Sequence, residues 1–299
     1  MEINKVLEKN KPSPPEFTRI SLPQMERVEA IRAASGSVLH VHTFASLYAW
    51  QECEGYEICI ADGAFLVKYG ARGENAYLFP CGDRAGKKAL IDALLQSGTP
   101  TFHYVSDDDK LFLENAYPGR CVFTACRDDY PYLYDKEEQI ALAGKEFKSL
   151  RHQVNLGRLS ARSWSSEPLT AENAERALRI NRKWADSRAD GDLADTAAAE
   201  TALRELSQLG IWGVIFQADG EDVAYVAGTF ITPEIYDVCF CKVLEKQCDC
   251  FIKRELYRVL PETVRTVDSE EDMGIAGLRT HKLLRRPKEL VRVWKGEMK

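Results

Sequence analysis

The sequence predicts an α+β protein made of two similar halves, each a mostly antiparallel sheet flanked by helices. Three observations predict it. Two three-strand patterns, at 55–82 and 210–243, share one plan: apolar run, Ala-Asp-Gly, apolar run, polar break, apolar run. Each pattern follows two helix-like segments. Each is succeeded by the same alternation of helix, strand, helix and strand.

The first half opens with helical material at 22–34 and 43–51. In its meander, "YEICIA" and "AFLVKY" are rich in β-branched and aromatic residues, and Asp62-Gly63 between them is hairpin chemistry. A helix at 84–96, the strand "TFHYVS", the helix "DDKLFLENA" and the strand "CVFTAC" complete the half. The second half repeats this order. Its helices are expected at 171–187, capped by Thr170, and at 196–209. Its meander turns at Asp219-Gly220. Then come a helix at 249–260, the strand "VRTVDS", the helix "AGLRTHKLL" and a closing strand in "ELVRVWK". The join, 127–164, begins with proline and aromatic residues and continues as a long basic amphipathic helix over about 136–160. Ile140, Leu142, Phe147, Leu150 and Val154 form its apolar side; Lys145, Lys148, Arg151, Arg158 and Arg162 make it basic. The expected domains are therefore 1–128 and 129–299.

Composition narrows the function classes. No run approaches the roughly 18 apolar residues of a membrane span, and the polar, Pro-rich N-terminus lacks the apolar core of a signal peptide. A cytoplasmic location is expected. The nine cysteines are odd in number and scattered through strand-like runs, which fits reduced thiols better than a disulfide framework. A net charge of -6 argues against a surface coated for nucleic acid, although local clusters of bases can still meet phosphate. There is no nucleophile elbow, His-Glu-x-x-His, Walker or dinucleotide fingerprint. Cys239 and Cys241 share one strand face, with Cys248 and Cys250 following. Zinc pairs are commonly spaced by two to four residues rather than one. Buried cysteine is the better account, and no metal is expected.

The stretch "VDSEEDMGIAGLRTHKLLRRPKE", 267–289, concentrates opposite charges around two glycines. One reading is a solvated loop whose acids favour the start of the next helix. A second is a binding site, with Asp272 or Glu271 orienting an amine and Arg279 and Lys282, which share a helical face, on phosphate or carboxylate. A third is an internal ion-pair network joining Glu270 or Asp272 to Arg151 or Arg279. Gly274 and Gly277 suit tight turning or close backbone approach. Upstream, Arg151 and Asn155 share a helical face; Arg151 is an anion-contact candidate and His152 a general-base candidate. The acidic stretch 188–206 reads as a surface linker, or else as a lid bringing Glu200 to a cleft.

With these residues in view, the chain resembles soluble proteins related to the C-terminal domain of phosphatidylglycerol lysyltransferase. The resemblance rests on Leu142, Gly144, Lys145 and Phe147, on Arg151, His152 and Asn155, and on Glu270, Asp272, Gly274, Gly277, Leu278, Arg279 and Lys282. It implies two tandem GNAT-like (acyl-CoA N-acyltransferase-like) domains. It also implies transfer of an acyl or aminoacyl group to an amine or hydroxyl of a small-molecule acceptor, in a cleft of the C-terminal domain. The donor would be acyl-CoA or aminoacyl-tRNA, the latter making tRNA a partner. GNAT enzymes that use CoA grip its pyrophosphate with a Gly-rich turn. The corresponding place in the second half reads "LEKQCDCF", without glycine, while the first half offers Gly82, Arg84 and Gly86 as a phosphate candidate at a helix start. The missing turn keeps open a non-catalytic GNAT-like module that binds a small ligand.

Overall fold

The computed structural model describes residues 14–187 and 193–299. The chain clusters into two units. Among the described residues, one comprises 14–37, 51–126 and 293–299, the other 38–50, 127–187 and 193–292.

In the first unit, helix α1 (Met25–Ser35) ends at Gly36, whose φ of 70° gives the left-handed cap glycine adopts readily. Strands β1 (Tyr56–Ala61), β2 (Ala64–Tyr69) and β3 (Ala76–Gly82) form the expected antiparallel meander. Helix α3 (Arg84–Leu95) carries the chain to β4 (Thr101–Val105), parallel to β3. Helix α4 (Asp107–Ala116) and β5 (Cys121–Ala125) follow. The last strand of the chain, β13 (Trp294–Met298), lies between β4 and β5, so the order is β1-β2-β3-β4-β13-β5. Leu66, Phe79, Ile91 and Phe102 anchor its core.

The second unit begins with a 3-10 turn, His40–His42, and the first turns of α2 (Phe44–Glu54). Its sheet runs β12-β6-β11-β10-β9-β8-β7. Strands β6 (Tyr132–Asp135) and β7 (Trp164–Pro168) were hidden in the join. Helices α7 (Ala174–Asp186) and α8 (Leu193–Arg204) precede the meander of β8 (Trp212–Ala218), β9 (Glu221–Thr232) and β10 (Ile235–Val243). Asp219 and Gly220, with φ of 50° and 87°, turn the first hairpin as an I′ turn requires. Helix α9 (Asp249–Val259) leads to β11 (Thr266–Asp268), parallel to β10. Helix α10 (Ala276–Leu284) and β12 (Glu289–Leu290) close the unit. Each sheet thus has one parallel pair, formed by the third meander strand and the strand after the next helix.

Three expectations change. The long helix over 136–160 is two helices, α5 (Lys136–Ala141) and α6 (Lys148–Leu159). Leu142 turns left-handed at φ 48° and Gly144 at 86°, and Arg151 bonds the carbonyls of both, 2.6 Å to Gly144. The apolar residues chosen for the helix still reach the core: Leu142, Phe147, Leu150 and Val154 are buried there. The segment "ELVRVWK" is not one strand; it splits between β12 in one sheet and β13 in the other. Thr170 does not cap α7, which starts after Asn173; the Asn173 side chain instead accepts from the Thr170 amide at 2.8 Å.

Candidate functional site

The charged stretch at 267–289 folds inward instead of lying in solvent. Asp268 ends β11 beside Asp237 of β10, its direct partner in the parallel pair. Both carboxylates are buried, at 1% and 0% exposure. Like charges facing each other across strands repel, so this pair needs compensation. Part of it comes from His40. Its Nδ1 lies 3.6 Å from Asp268 and its Nε2 3.2 Å from Glu271. Burial alone would lower the His40 pKa, but the two carboxylates raise it well above the ordinary histidine value. Glu271 is held at about 2: burial works upward, and is outweighed by the His40 hydrogen bond and the charges of His40 and Lys282. Its side chain, 18% exposed, is the outer end of an Asp268–His40–Glu271 line.

The loop after β11 is built around two cations. Lys282 is buried, and its ammonium donates to the backbone carbonyls of Ser269, Glu270 (3.2 Å) and Glu271 (2.6 Å). Burial lowers its pKa. This grip holds Glu270 in a left-handed backbone, φ 54°, with its amide on Asp268 Oδ1 at 2.8 Å. Asp272 is completely buried and receives five donors: Arg127 (3.0 Å), the Tyr132 hydroxyl (2.5 Å), the Gly274 amide (3.0 Å) and two from Arg279 (2.9 and 2.6 Å). Burial would raise its pKa, yet these donors keep it well below the carboxylate range. Arg279 also reaches Asp128 at 2.6 Å. Gly274, at φ 74°, lets the chain pass the Asp128 side chain; a Cβ there would stand 2.9 Å from its Oδ2. Gly277 meets no such demand, since a Cβ there would touch nothing within 4 Å.

The motif therefore realises the internal ion-pair reading for Asp272 and Arg279, with Arg127 and Asp128 as partners in place of Arg151. Arg279 and Lys282 are engaged within the chain. None of the acids falls in the first turn of α10, so the dipole reading does not describe them.

The remaining expected site residues lie apart from this loop. Arg151 closes the α5–α6 break. His152 and Asn155 are exposed on α6. Glu200 pairs with Arg204 one turn along α8 at 2.5 Å. The proposed lid falls partly on 188–192, outside the described residues. At the start of α3, the Asp83 carboxylate accepts from the Gly86 amide at 2.7 Å and occupies the place suggested for phosphate. Gly82 and Gly86 are there for close packing: a Cβ on either would come within 2.7 Å of Ala64. Arg84 lies over the Phe112 ring at 5.5 Å.

Four charged residues near the motif escaped sequence reasoning: Arg127 and Asp128, which pair with Asp272 and Arg279, and His40 and Asp237. Asp237 is pushed up to about 7 by burial and by the charge of Asp268. Burial and the charge of Asp237 likewise raise Glu270 well above its usual range. Cys239 Sγ lies 3.3 Å from Asp237 Oδ2. Two groups bring three possible metal ligands within 4.8 Å of one another: Asp237, Cys239 and Glu270, and Asp249, Cys250 and His281.

The family model described as phosphatidylglycerol lysyltransferase, C-terminal, matches residues 34–294. The chain belongs to this family. No curated protein matches it. Among solved structures, a conserved protein of unknown function from Bacteroides thetaiotaomicron is 25% identical, with a TM-score of 0.86 over 95% of this chain and 100% of that one. The C-terminal domain of a proposed lysylphosphatidylglycerol synthetase from Agrobacterium fabrum is 12% identical, with a TM-score of 0.65 over 93% and 92%. L-PGS from Bacillus licheniformis is 12% identical, with a TM-score of 0.64 over 96% and 93%. The architecture is the expected α+β arrangement of two sheets, each flanked by helices. Among the described residues no helix is long and apolar enough to cross a membrane.

Proposed function

We propose that this family member is a transferase that moves an acyl or aminoacyl group from an activated ester or thioester to an amine or hydroxyl. The observation that carries the reading is the family match across residues 34–294, because the family is named for lysyl transfer. We place the working centre on the loop after β11. Glu271, the outer member of the Asp268–His40–Glu271 line, stays ionised and accepts a hydrogen bond from the attacking group, orienting it; the proton of that group passes to the leaving oxygen or sulfur. A new bond forms from the acceptor nitrogen or oxygen to the donor carbonyl carbon. The bond from that carbon to the donor's oxygen or sulfur breaks, and the leaving group departs with a proton. His40 and Asp268 position the carboxylate. Asp272, Arg279 and Lys282 shape the loop and are positioning residues.

The donor classes that fit are aminoacyl-tRNA and acyl-CoA, with a small-molecule acceptor. The test is incubation of the purified chain with each radiolabelled donor and a panel of small amines and alcohols. Transfer to an acceptor supports the reading. A donor that is bound but returned unchanged sinks it and favours a non-catalytic binding module. The specific observation on that module's side is the glycine-free start of α9, where Lys246–Cys248 form a 3-10 turn in place of a Gly-rich phosphate loop.

A further inference from the structure

Most buried acids near the loop have a basic partner. Asp268 and Glu271 share His40, Asp272 has Arg127 and Arg279, and Asp249 has Lys253 at 3.0 Å. Asp237 and Glu270 make no ion pair among the described residues, although the charge of His40 reaches both and that of Lys282 reaches Glu270. Asp237 is 0% exposed, and its Oδ1 is a buried acceptor with no hydrogen-bond partner among the described residues. An orphaned buried carboxylate oxygen is costly and calls for an explanation.

We infer that Asp237, Cys239 and Glu270 form a binding site for a divalent metal ion of the zinc class. Their ligand atoms already lie within 4.8 Å of one another. Zinc binds carboxylate oxygen at about 2.0–2.2 Å and thiolate at about 2.3 Å, so the three side chains draw in somewhat from this spacing when an ion binds. The backbone brings the three together by separate devices. The β9–β10 register shifts between Asp237 and Phe240, and bulges re-aim side chains next to functional sites. Gly228 permits the close approach there, since a Cβ on it would stand 1.8 Å from the Asp237 carbonyl oxygen. Glu270 arrives from the far side of the parallel pair on its left-handed backbone. A sulfur ligand selects zinc-like ions over magnesium and calcium, which prefer all-oxygen sites. Three protein ligands leave one tetrahedral position for water or a substrate oxygen, the pattern of reactive rather than purely structural zinc. The second group, Asp249, Cys250 and His281, differs because Lys253 already supplies its cation, and His281 Nε2 stands 2.9 Å from Asp249.

The inference does not rest on transfer activity, and its test needs no substrate. The full chain is stripped with a chelator and titrated with Co²⁺, and the near-ultraviolet sulfur-to-cobalt charge-transfer band is followed. The expected result is a band that saturates at one ion per chain and disappears on adding Zn²⁺. Cys239→Ser should remove it, and Glu270→Gln should weaken Co²⁺ binding by ~10-fold or more while circular dichroism stays unchanged. Glu270 is half-buried and Gln keeps its shape, so this variant remains informative if Cys239→Ser does not fold. Cys250→Ser should leave the band intact. No band in the folded wild-type chain overturns the inference, as does a band lost in Cys250→Ser and kept in Cys239→Ser.

Discussion

Replacing Asp272 by Asn tests whether the family motif acts first as an internal brace. The substitution keeps the shape and removes the charge on which Arg127, Arg279, Tyr132 and the Gly274 amide converge. Removing one partner of a fully buried ion pair costs about 3–5 kcal/mol. Here the carboxylate is wholly buried, but Arg127 and Arg279 are 34% and 32% exposed. Both guanidiniums can recover water, and Arg279 keeps Asp128. The Asn side-chain oxygen also retains some of the bonds. The expected loss is therefore about 2–3 kcal/mol, equivalent to a fall of roughly 5–10 °C in unfolding midpoint for a unit of this size. Thermal unfolding followed by circular dichroism, with urea unfolding as a second measure, reads the change. A midpoint within about 1 °C of wild type, with transfer abolished, would refute the brace and return Asp272 to the substrate.

Other consequences follow from separate parts of the molecule. His103, 7% exposed in the first unit, has its pKa lowered to about 4 by burial and by the charges of Arg72 and Lys295. The unfolded chain then binds the extra proton first, so stability is full above about pH 6.5 and falls by about 3 kcal/mol as pH drops through 4. Urea midpoints at pH 7, 5 and 4 should show this fall, and His103→Phe should flatten it. Gly228→Ala pushes a methyl group into the Asp237 carbonyl; it should cost roughly 1–3 kcal/mol and weaken cobalt binding, and a variant of unchanged stability would show that the β9–β10 approach is looser than described.

Both meanders were legible because period-two apolar runs and Asp-Gly turns are local signals. The order of helices and strands after them was legible too, except that the closing strand of the second half divides between the two sheets. What failed was set by partners distant in sequence. The helix break pairs Gly144, a local breaker, with a non-glycine left-handed residue, Leu142, and both are held by Arg151 further along the chain. Nothing in "RVWK" states that its strand will pair with β4 and β5. At the site, the motif pointed to Glu270, Glu271, Asp272, Arg279 and Lys282; the three acids share the loop after β11, and Arg279 and Lys282 reach it from α10. Which of them would be spent on internal pairing depends on Arg127 and Asp128, which lie in an unremarkable join. His40 and Asp237 were missed, though a signal existed for Asp237: a carboxylate inside the apolar strand "IYDVCFCKV" is rarely buried without a purpose.

The most direct test of the account is turnover by Glu271→Gln against wild type, with the donor and acceptor found in the panel and both chains shown to be folded. The expected loss in kcat is about 10²-fold, the scale set by a misplaced attacking group, with donor binding retained. A variant that transfers at the wild-type rate would contradict the placement of the working centre on this loop.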